Sequence, residues 1–298
     1  MISSPEKKLL LIINPVAGKG KSRSVLLDVI DIFSRYGYRV TVLPTEPNGI
    51  TEQKLTQELS AYSLCVAIGG DGTLNAAVNG ILKSGCDVPL GYIPLGSTND
   101  FAYSLALPKD VLLSCARIAE NEPRYIDVGR FNDRYFSYIA CTGMFSEASY
   151  MTSQQLKNTL GYGAYLLKAL PSLLGTHKAR YSVIADGERI DGEFLFCSVS
   201  NTLRAGGVIR LPKNDVRFDD GVFELTMLKA PSSLAAGTAM VNDLVYSRLE
   251  TKSFLRRKAK RFEITLGHPS GWSLDGENGG VCDTAVIQVA EKAIRFVY

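Results

Sequence analysis

Three glycine-bearing turns constrain the fold of this chain more than any other feature of its sequence. They are residues 14–22 (NPVAGKGKS), 69–75 (GGDGTLN) and 94–100 (PLGSTND). Each turn follows an apolar strand pattern and precedes a helical pattern, and this order predicts a parallel sheet with helical crossovers. Ligands of such sheets bind beyond the carboxyl ends of the strands, so the turns predict a binding site at that edge.

The pattern changes near residue 125, from alternating strands and helices to segments with period-two hydrophobicity. We therefore predict an α/β domain over residues 1–128 and an antiparallel β domain over 129–298, with the last strand able to return to the first domain. A chain of 298 residues has room for two domains of ordinary size. Strands are predicted at 9–13, 38–43, 64–68, 90–94, 134–140, 180–185, 193–200, 222–228, 261–266, 271–274, 285–289 and 293–297, and helices at 21–36, 51–62, 73–83, 109–120, 153–174 and 231–249.

The first turn carries Gly18 and Gly20 just before a predicted helix. Backbone N–H groups at glycines and at a helix N-terminus bind anions, so this turn suits a phosphate group. Pro15 stands where a Walker A loop needs glycine, and Arg23 stands where a dinucleotide fingerprint needs one. From the residues alone, phosphate binding and a flexible basic loop are equally supported.

The second and third turns carry carboxylates. Asp71 lies among three glycines, where it would repel a bare phosphate but could hold a Mg²⁺ ion that bridges phosphate oxygens. The alternative is that Asp71 only caps a helix that begins at Thr73. In the third turn Ser97 or Thr98 could donate to a phosphate and Asp100 could join the metal shell, with a capped helix start as the alternative. Together the three turns predict one continuous nucleotide-phosphate cleft.

The segments IINPVAGKGKS, IGGDGTLN and PLGSTNDFA together resemble the catalytic domain of the soluble diacylglycerol kinase-type lipid kinases. That family includes sphingosine kinases, ceramide kinases and several bacterial lipid kinases. The resemblance continues through IDVG at 126–129, FDDG at 218–221 and WSLDGE at 272–277, so it spans nearly the whole chain. It implies an α/β plus all-β fold, with an open parallel sheet like that of phosphofructokinase and NAD kinase followed by an antiparallel β-sandwich. It also implies ATP and Mg²⁺ as cofactors.

The resemblance gives roles to individual residues. Asp71, Asp127 and Glu277 match active-site carboxylates, with Asp71 at the centre of the Mg²⁺–ATP site and Glu277 as the proposed general base. Asp219 and Asp220 match a structural Mg²⁺ site of bacterial members, and Asp220 is the preferred ligand. The positions that match nucleotide-binding residues are Asn14, Pro15, Gly18, Gly20, Thr45, Gly69, Gly70, Asp71, Gly72, Thr73, Asn75, Thr98 and Asp100.

The sequence leaves alternatives open for the 275–277 segment and for the function of the chain. From the residues alone, the Asp275-Gly276-Glu277 segment is explained at least as well by a hairpin turn. Ala76 stands where the family usually has glutamate, and the spacer before the DDG segment is longer than usual. A catalytically silent nucleotide-binding regulator is therefore one alternative, and a soluble kinase of NAD kinase type is another.

Composition narrows the choice of partners. A formal net charge of +3 does not call for a nucleic-acid partner, and two histidines exclude a His-rich metal site. Six cysteines without a CxxC pair favour a reducing compartment. No secretory leader and no apolar run long enough to cross a bilayer is found. The resemblance, taken with these features, implies a cytoplasmic enzyme of phospholipid biosynthesis that works peripherally at the inner face of the membrane on a lipid such as diacylglycerol. A homodimer is compatible with these features.

Two segments are weighed as lipid contacts. The basic segment at 251–261 (TKSFLRRKAKR) would suit anionic headgroups, but a solvated charged face is the preferred interpretation. The apolar helical pattern at 161–174 could line a lipid pocket, and ordinary core packing is preferred there.

Overall fold

The computed structural model describes residues 6–46, 50–144, 178–205, 209–211 and 215–298. The helix predicted at 153–174, with its apolar face, lies outside the described residues. The chain forms two compact units, Met1–Val128 with Glu291–Tyr298 and Gly129–Ala290. Among the described residues, no helix is both long and apolar enough to cross a membrane.

The first unit alternates strands and helices as its sequence predicts. Its elements are β1 (Lys7–Ile13), α1 (Lys21–Ser24), α2 (Leu26–Arg35), β2 (Tyr38–Pro44), α3 (Ile50–Glu58), β3 (Leu64–Gly69), α4 (Asp71–Ser84), β4 (Leu90–Pro94), α5 (Asp100–Ser104), α6 (Val111–Glu120) and β5 (Arg124–Phe131). The helix predicted at 21–36 is two helices, because Val25 has φ −94° and ψ −3° and ends α1 where α2 begins.

The strands of the first unit form a parallel sheet in the order β2-β1-β3-β4. Leu9 of β1 lies opposite Val40 on one side and Leu64 on the other. The β1 and β3 strands are almost wholly buried, as expected for central strands of a sheet covered on both faces. Parallel strands end at the same edge, so the three glycine-bearing turns after β1, β3 and β4 lie along that edge.

The second unit is dominated by antiparallel strands. Its elements are β6 (Arg134–Phe136), β7 (Ile139–Gly143), β8 (Ala179–Ala185), β9 (Glu188–Ser200), β10 (Arg204–Ala205), β11 (Ile209–Arg210), β12 (Phe223–Lys229), α7 (Leu234–Val245), β13 (Phe254–Ala259), β14 (Arg261–Leu274) and β15 (Glu277–Val297). β9 and β14 each pair with β8 along one half and with β7 along the other, so these four strands form a closed ring of pairings. An apolar core that includes Trp272, Phe223 and Phe262 fills this unit.

Two long strands of the structure each join segments predicted separately. β14 includes both 261–266 and 271–274, with an irregularity between Thr265 and Ser270 that the period-two pattern does not cross. β15 includes 285–289 and 293–297, and its last residues pair in parallel with β4 through Phe296 and Leu90. The coarse prediction of a mixed α/β protein rich in strands is confirmed.

The strand β13 was not predicted, because its charged residues hide the period-two pattern. Those charges are largely paired. Arg256 lies 2.9 Å from Asp215, and Arg257 lies 2.9 Å from Glu188. These ion pairs offset part of the positive charge of the segment, and the choice between a solvated charged face and a contact with anionic headgroups stays a prediction.

Glu224 gives the second unit a pH-dependent stability. Its side chain is 1% exposed, and burial raises the pKa of Glu224 to about 7, which the Lys258 ammonium 3.2 Å away only partly offsets. The ordinary pKa is 4.5, so the folded state binds the proton more tightly than the unfolded chain does. The free energy of unfolding therefore falls by about 3 kcal/mol as the pH rises through the interval between these two pKa values.

Urea unfolding at about pH 5 and about pH 8 checks this expectation. The wild-type protein should lose this stability between the two pH values, and Glu224→Gln should not lose it. The free energy of unfolding of Glu224→Gln, relative to that of the wild-type protein, should therefore increase with pH. Parallel pH profiles for the two proteins would contradict the assignment.

Candidate active site

The turn after β3 places Asp71 in the first turn of α4. The helix begins at Asp71, and Gly70, in an extended conformation, is its N-cap without any side-chain cap bond. The alternative in which Asp71 only caps a helix that begins at Thr73 is therefore wrong. A Cβ on Gly69 would lie 2.2 Å from the Thr73 hydroxyl oxygen. Only glycine therefore allows the end of β3 to pack this closely against the first turn of α4.

The turn after β4 is held by its own asparagine. The Gly96 N–H donates to Asn99 Oδ1 at 2.9 Å, and Asn99 Nδ2 donates to the Gly96 carbonyl at 2.8 Å. Asn99 has a φ of 49°, a left-handed conformation that asparagine tolerates better than most residues. The side chain thus closes a ring around the turn, and Asp100 follows as the first residue of α5.

Direct contacts join the second and third turns. Thr98 Oγ1 donates to Asp71 Oδ2 at 3.1 Å, and the Leu95 N–H donates to the Gly69 carbonyl at 2.7 Å. The backbones meet at Gly96, where an added Cβ would lie only 2.6 Å from Gly70 Cα. The predicted proximity of Asp71 and Thr98 is therefore observed.

Tyr92 links the same two turns from below the sheet edge. Its hydroxyl oxygen lies 3.2 Å from the Gly69 carbonyl oxygen and 3.3 Å from Asn99 Oδ1, and its single proton can be donated to either acceptor. Burial, with a further contribution from the Asp71 carboxylate, raises the pKa of Tyr92 well above its ordinary value. The hydroxyl therefore keeps its proton and can donate it to an acceptor in either turn.

The turn after β1 approaches the third turn. A Cβ on Gly18 would lie 3.4 Å from the Leu95 carbonyl oxygen. Gly18, Lys19 and Gly20 all have positive φ values, of 60°, 58° and 88°. Asn14 fixes the start of this turn, because its Oδ1 accepts from the Val16 N–H at 3.1 Å.

The same turn is closed from behind by Ser22, which is fully buried and donates to the Asn14 carbonyl at 2.7 Å. Asn14 also donates its N–H to the Ile68 carbonyl at the end of β3, at 2.9 Å. The first turn is therefore bonded to the strand that leads into the second. Thr45 is placed at the neighbouring strand end, where its N–H donates to the Ile13 carbonyl at 2.8 Å.

Asp127 has a different environment from Asp71. It lies on β5 and is 1% exposed, and its Oδ1 accepts from the Lys292 N–H at 2.7 Å. This bond supports Lys292, whose φ is 49°. The bonds described for Asp127 do not bring it to the three turns, so its catalytic role stays a prediction from the resemblance.

The remaining predicted residues lie in the second unit. Glu277 is exposed at the first position of β15, directly after the Asp275-Gly276 turn. Asp219 lies 3.5 Å from Arg217, and Asp220 Oδ1 accepts from the Val222 N–H at 3.3 Å. Within the described ranges, no group of three or more His, Cys, Asp or Glu side chains is arranged to hold a metal ion. A structural Mg²⁺ at Asp219 and Asp220 therefore stays a prediction.

The sequence did not indicate a role for Asn99, Tyr92 or Ser22, and it indicated only a hairpin turn for Asp275. Asn99 lies in the PLGSTND turn directly before α5, and an asparagine at that position is the only signal that the sequence offers for its role. Tyr92 lies in the middle of an apolar strand, where a tyrosine is usually read as core.

The fold and the three apposed turns place this chain among the open α/β proteins whose ligand-binding edge consists of glycine turns. Residues 8–131 match the family model described as the diacylglycerol kinase catalytic domain. The chain is 31% identical over 277 residues to the diacylglycerol kinase of Bacillus subtilis (strain 168), a match that covers 92% of this chain and 91% of the relative. It is also 31% identical over 277 residues to the diacylglycerol kinase of Staphylococcus carnosus (strain TM300), covering 92% and 90%. The chain belongs to the diacylglycerol kinase family.

A solved structure shares the fold. The crystal structure of a diacylglycerol kinase from Bacillus anthracis str. Sterne superposes with a TM-score of 0.77 at 21% identity, covering 99% of this chain and 98% of the other. The structure shows the shared fold, and the family model and the two relatives confirm the resemblance drawn from the glycine-bearing turns.

Proposed function

We propose that this chain transfers the γ-phosphate of ATP, with Mg²⁺, to the hydroxyl group of a lipid, and that diacylglycerol is the first candidate acceptor. The observation that carries the proposal is the junction of Asp71, Thr98 and the Gly70–Gly96 backbone contact at one strand edge. Relatives named diacylglycerol kinases supply the lipid class. The finer description of the fold as a sheet of the phosphofructokinase and NAD kinase type with a β-sandwich belongs to the same proposal.

The residues at the junction fit a Mg²⁺–nucleotide. Mg²⁺ is usually held by one or two carboxylates together with phosphate oxygens and waters, rather than by an all-protein cage. One half-buried Asp71 beside a hydroxyl, without a larger acidic cluster among the described residues, matches that demand. When bound, the ion neutralises charge on the phosphates.

The protein supplies positioning and a proton acceptor. The backbone N–H groups at the glycine turns and at the start of α4 suit phosphate oxygens. Glu277 would accept the proton of the lipid hydroxyl, which is the role of a general base. Its carboxylate is exposed and therefore accessible to an acceptor.

We further propose that the protein acts at the membrane surface without a nucleic-acid partner. The small net charge of +3 supports the second part. The basic segment at 251–261 gives little support for action at the membrane surface, since several of its cations are paired with acids.

The decisive assay incubates the protein with radiolabelled ATP and Mg²⁺ in mixed micelles that contain diacylglycerol, phosphatidylglycerol, a sphingoid base or a polyprenol. We expect label in the lipid fraction with one acceptor, and none when EDTA removes the metal. NAD is included as a soluble acceptor. Labelled NADP, or ATP binding without any labelled product, would contradict the proposal and favour the NAD kinase type or the silent regulator.

Gly96→Ala tests whether the junction binds ATP. The added Cβ would lie 2.6 Å from Gly70 Cα and 2.7 Å from Asn99 Oδ1, so the second and third turns must separate. Such overpacking costs ~1–3 kcal/mol, and we expect ATP affinity to fall roughly tenfold or more in calorimetry with Mg²⁺.

Gly267→Ala is the matched control. Its Cβ would meet no atom nearer than 3.4 Å, and it lies in the second unit. Equal ATP affinity in the two variants would contradict the assignment of the junction as the nucleotide site.

A further inference from the structure

The turn between β14 and β15 is a two-residue hairpin turn with an unusual tip. Asp275 and Gly276 have φ values of 55° and 87°, and Leu274 pairs with Glu277 across the turn. Two positive φ values define a type I′ turn, which favours Asn-Gly and Asp-Gly. The turn type thus explains the residue pair. It does not explain why the aspartate is only 2% exposed at a hairpin tip.

The Asp275 carboxylate accepts three consecutive backbone N–H groups. Its Oδ2 accepts from Ser137 at 2.5 Å, and its Oδ1 accepts from Tyr138 at 2.9 Å and from Ile139 at 3.1 Å. The Asp275 N–H in turn donates to the Ile139 carbonyl at 2.9 Å. Four hydrogen bonds therefore fasten one residue to the segment that begins β7. A carboxylate can accept all three donors, whereas an asparagine amide would place its own donor against one of them.

A second bond fastens the chain on the other side of Glu277. Arg134 Nη1 donates to the Asn278 carbonyl at 2.8 Å. Arg134 and Ile139 belong to the same short stretch of chain, so residues 275 and 278 are both tied to it. Glu277 lies between the two anchors with its side chain exposed, and within the described chain no hydrogen bond to that side chain is observed.

We propose that Asp275 is the positioning residue for Glu277. Its three accepted bonds fix the hairpin tip, and the tip sets where the Glu277 carboxylate meets the acceptor hydroxyl. Arg134 assists from the other side. This inference rests on the proposed function, in which Glu277 is the general base. Misplacing a base affects the chemical step more than it affects the binding of either substrate.

The chain contains its own matched control. Asp186-Gly187 is a second tip of the same type, with φ values of 45° and 92°, between β8 and β9. Asp186 Oδ2 accepts from the Lys260 N–H and its Oδ1 accepts from the Arg261 N–H, both at 2.9 Å. This aspartate is exposed, and no predicted site residue follows it. Asp186→Asn therefore reports what the same change does to a hairpin of this unit alone.

The experiment compares Asp275→Asn and Asp186→Asn with and without Glu277→Gln, in steady-state kinetics of transfer to diacylglycerol micelles. Asparagine preserves the turn preference and nearly the volume. We expect Asp275→Asn to lower kcat by roughly 10–100-fold with KM for ATP and lipid changed less than about threefold, and Asp186→Asn to leave both nearly unchanged. In the Glu277→Gln background, Asp275→Asn should lower the rate little further, because the base is already absent.

Several results would overturn the inference. One is a loss of kcat in Asp275→Asn no larger than the loss in Asp186→Asn. Another is a double variant of Asp275 and Glu277 whose loss of rate equals the product of the two single losses. If Asp275→Asn does not fold, Arg134→Gln takes its place, with a kcat loss that must likewise vanish in the Glu277→Gln background. Full activity of Glu277→Gln itself would instead refute the proposed function of Glu277, so the two failures are distinguishable.

Discussion

Asp71→Asn should lower kcat/KM for ATP by roughly 10³-fold while the protein stays folded. A metal-held phosphate gains several kcal/mol of transition-state stabilisation, and ~4 kcal/mol corresponds to about three powers of ten. Asparagine keeps the shape of the side chain and can still accept from the Thr98 hydroxyl, which donates to Asp71 at 3.1 Å. The loss would therefore report the missing charge. Steady-state kinetics across a Mg²⁺ titration is the measurement, and the variant should also need more Mg²⁺.

Asp28→Asn is the matched control for this prediction. Asp28 is likewise an acidic residue in the first turn of a helix of the first unit, but it is exposed on α2. Its replacement changes a helix-terminus charge worth ~0.3–1 kcal/mol and should leave kcat/KM nearly unchanged. If Asp71→Asn resembled this control, Asp71 would be only a helix-terminus charge and the proposed metal role would be wrong.

Much of the strand-edge site was accessible to sequence reasoning, for a physical reason. A backbone that must approach another backbone requires glycine, and Gly70 and Gly96 meet in that way. The requirement leaves a mark in the sequence at each turn separately. Strand periodicity then puts the turns at one edge, because parallel strands end together. The contact between Asp71 and Thr98 follows from these two facts.

The hydrogen bonds that hold the turn before Glu277 could not be predicted from the sequence. Asp275 accepts from residues about 137 positions away in the chain, as its bonds to Tyr138 and Ile139 show. No local pattern encodes such a pairing, and an Asp-Gly tip looks the same whether it is exposed, as at Asp186, or buried. The hairpin interpretation of this segment is confirmed as structure. It does not exclude a role for Glu277, since the turn and the base can occupy the same residues.

The sequence did not predict β13, because charged side chains take positions where a strand pattern would show apolar residues. The segment that forms β13 carries Arg256, Arg257 and Lys258 in succession, and alternation cannot be seen in such a run. Its pairing with β12 places Lys258 beside Glu224 and Arg256 beside Thr226. On that face, one ion pair between Lys258 and Glu224 and one polar pair between Arg256 and Thr226 replace apolar cross-strand pairs.

Glu277→Gln should lower kcat by roughly 10²–10⁴-fold, the usual contribution of a general base, while ATP binding measured by calorimetry stays within about twofold. Glutamine has the same length and can accept a hydrogen bond, but it cannot take the proton of the acceptor hydroxyl. Because Glu277 is exposed and begins β15 at a turn fixed by Asp275, its replacement should not unfold the second unit.

Glu250→Gln, the same change at another exposed glutamate of the second unit, is the control and should retain wild-type kcat. The acceptor supplies a further test of the mechanism. An acceptor whose hydroxyl is more acidic needs less help from a base, so a more acidic lipid analogue should recover part of the rate lost in Glu277→Gln and gain little in the wild-type protein. An equal gain in both proteins, or a loss as large in Glu250→Gln, would mean that Glu277 does not take the proton. The turn would then serve the hairpin alone, and the base for this reaction would have to be sought elsewhere.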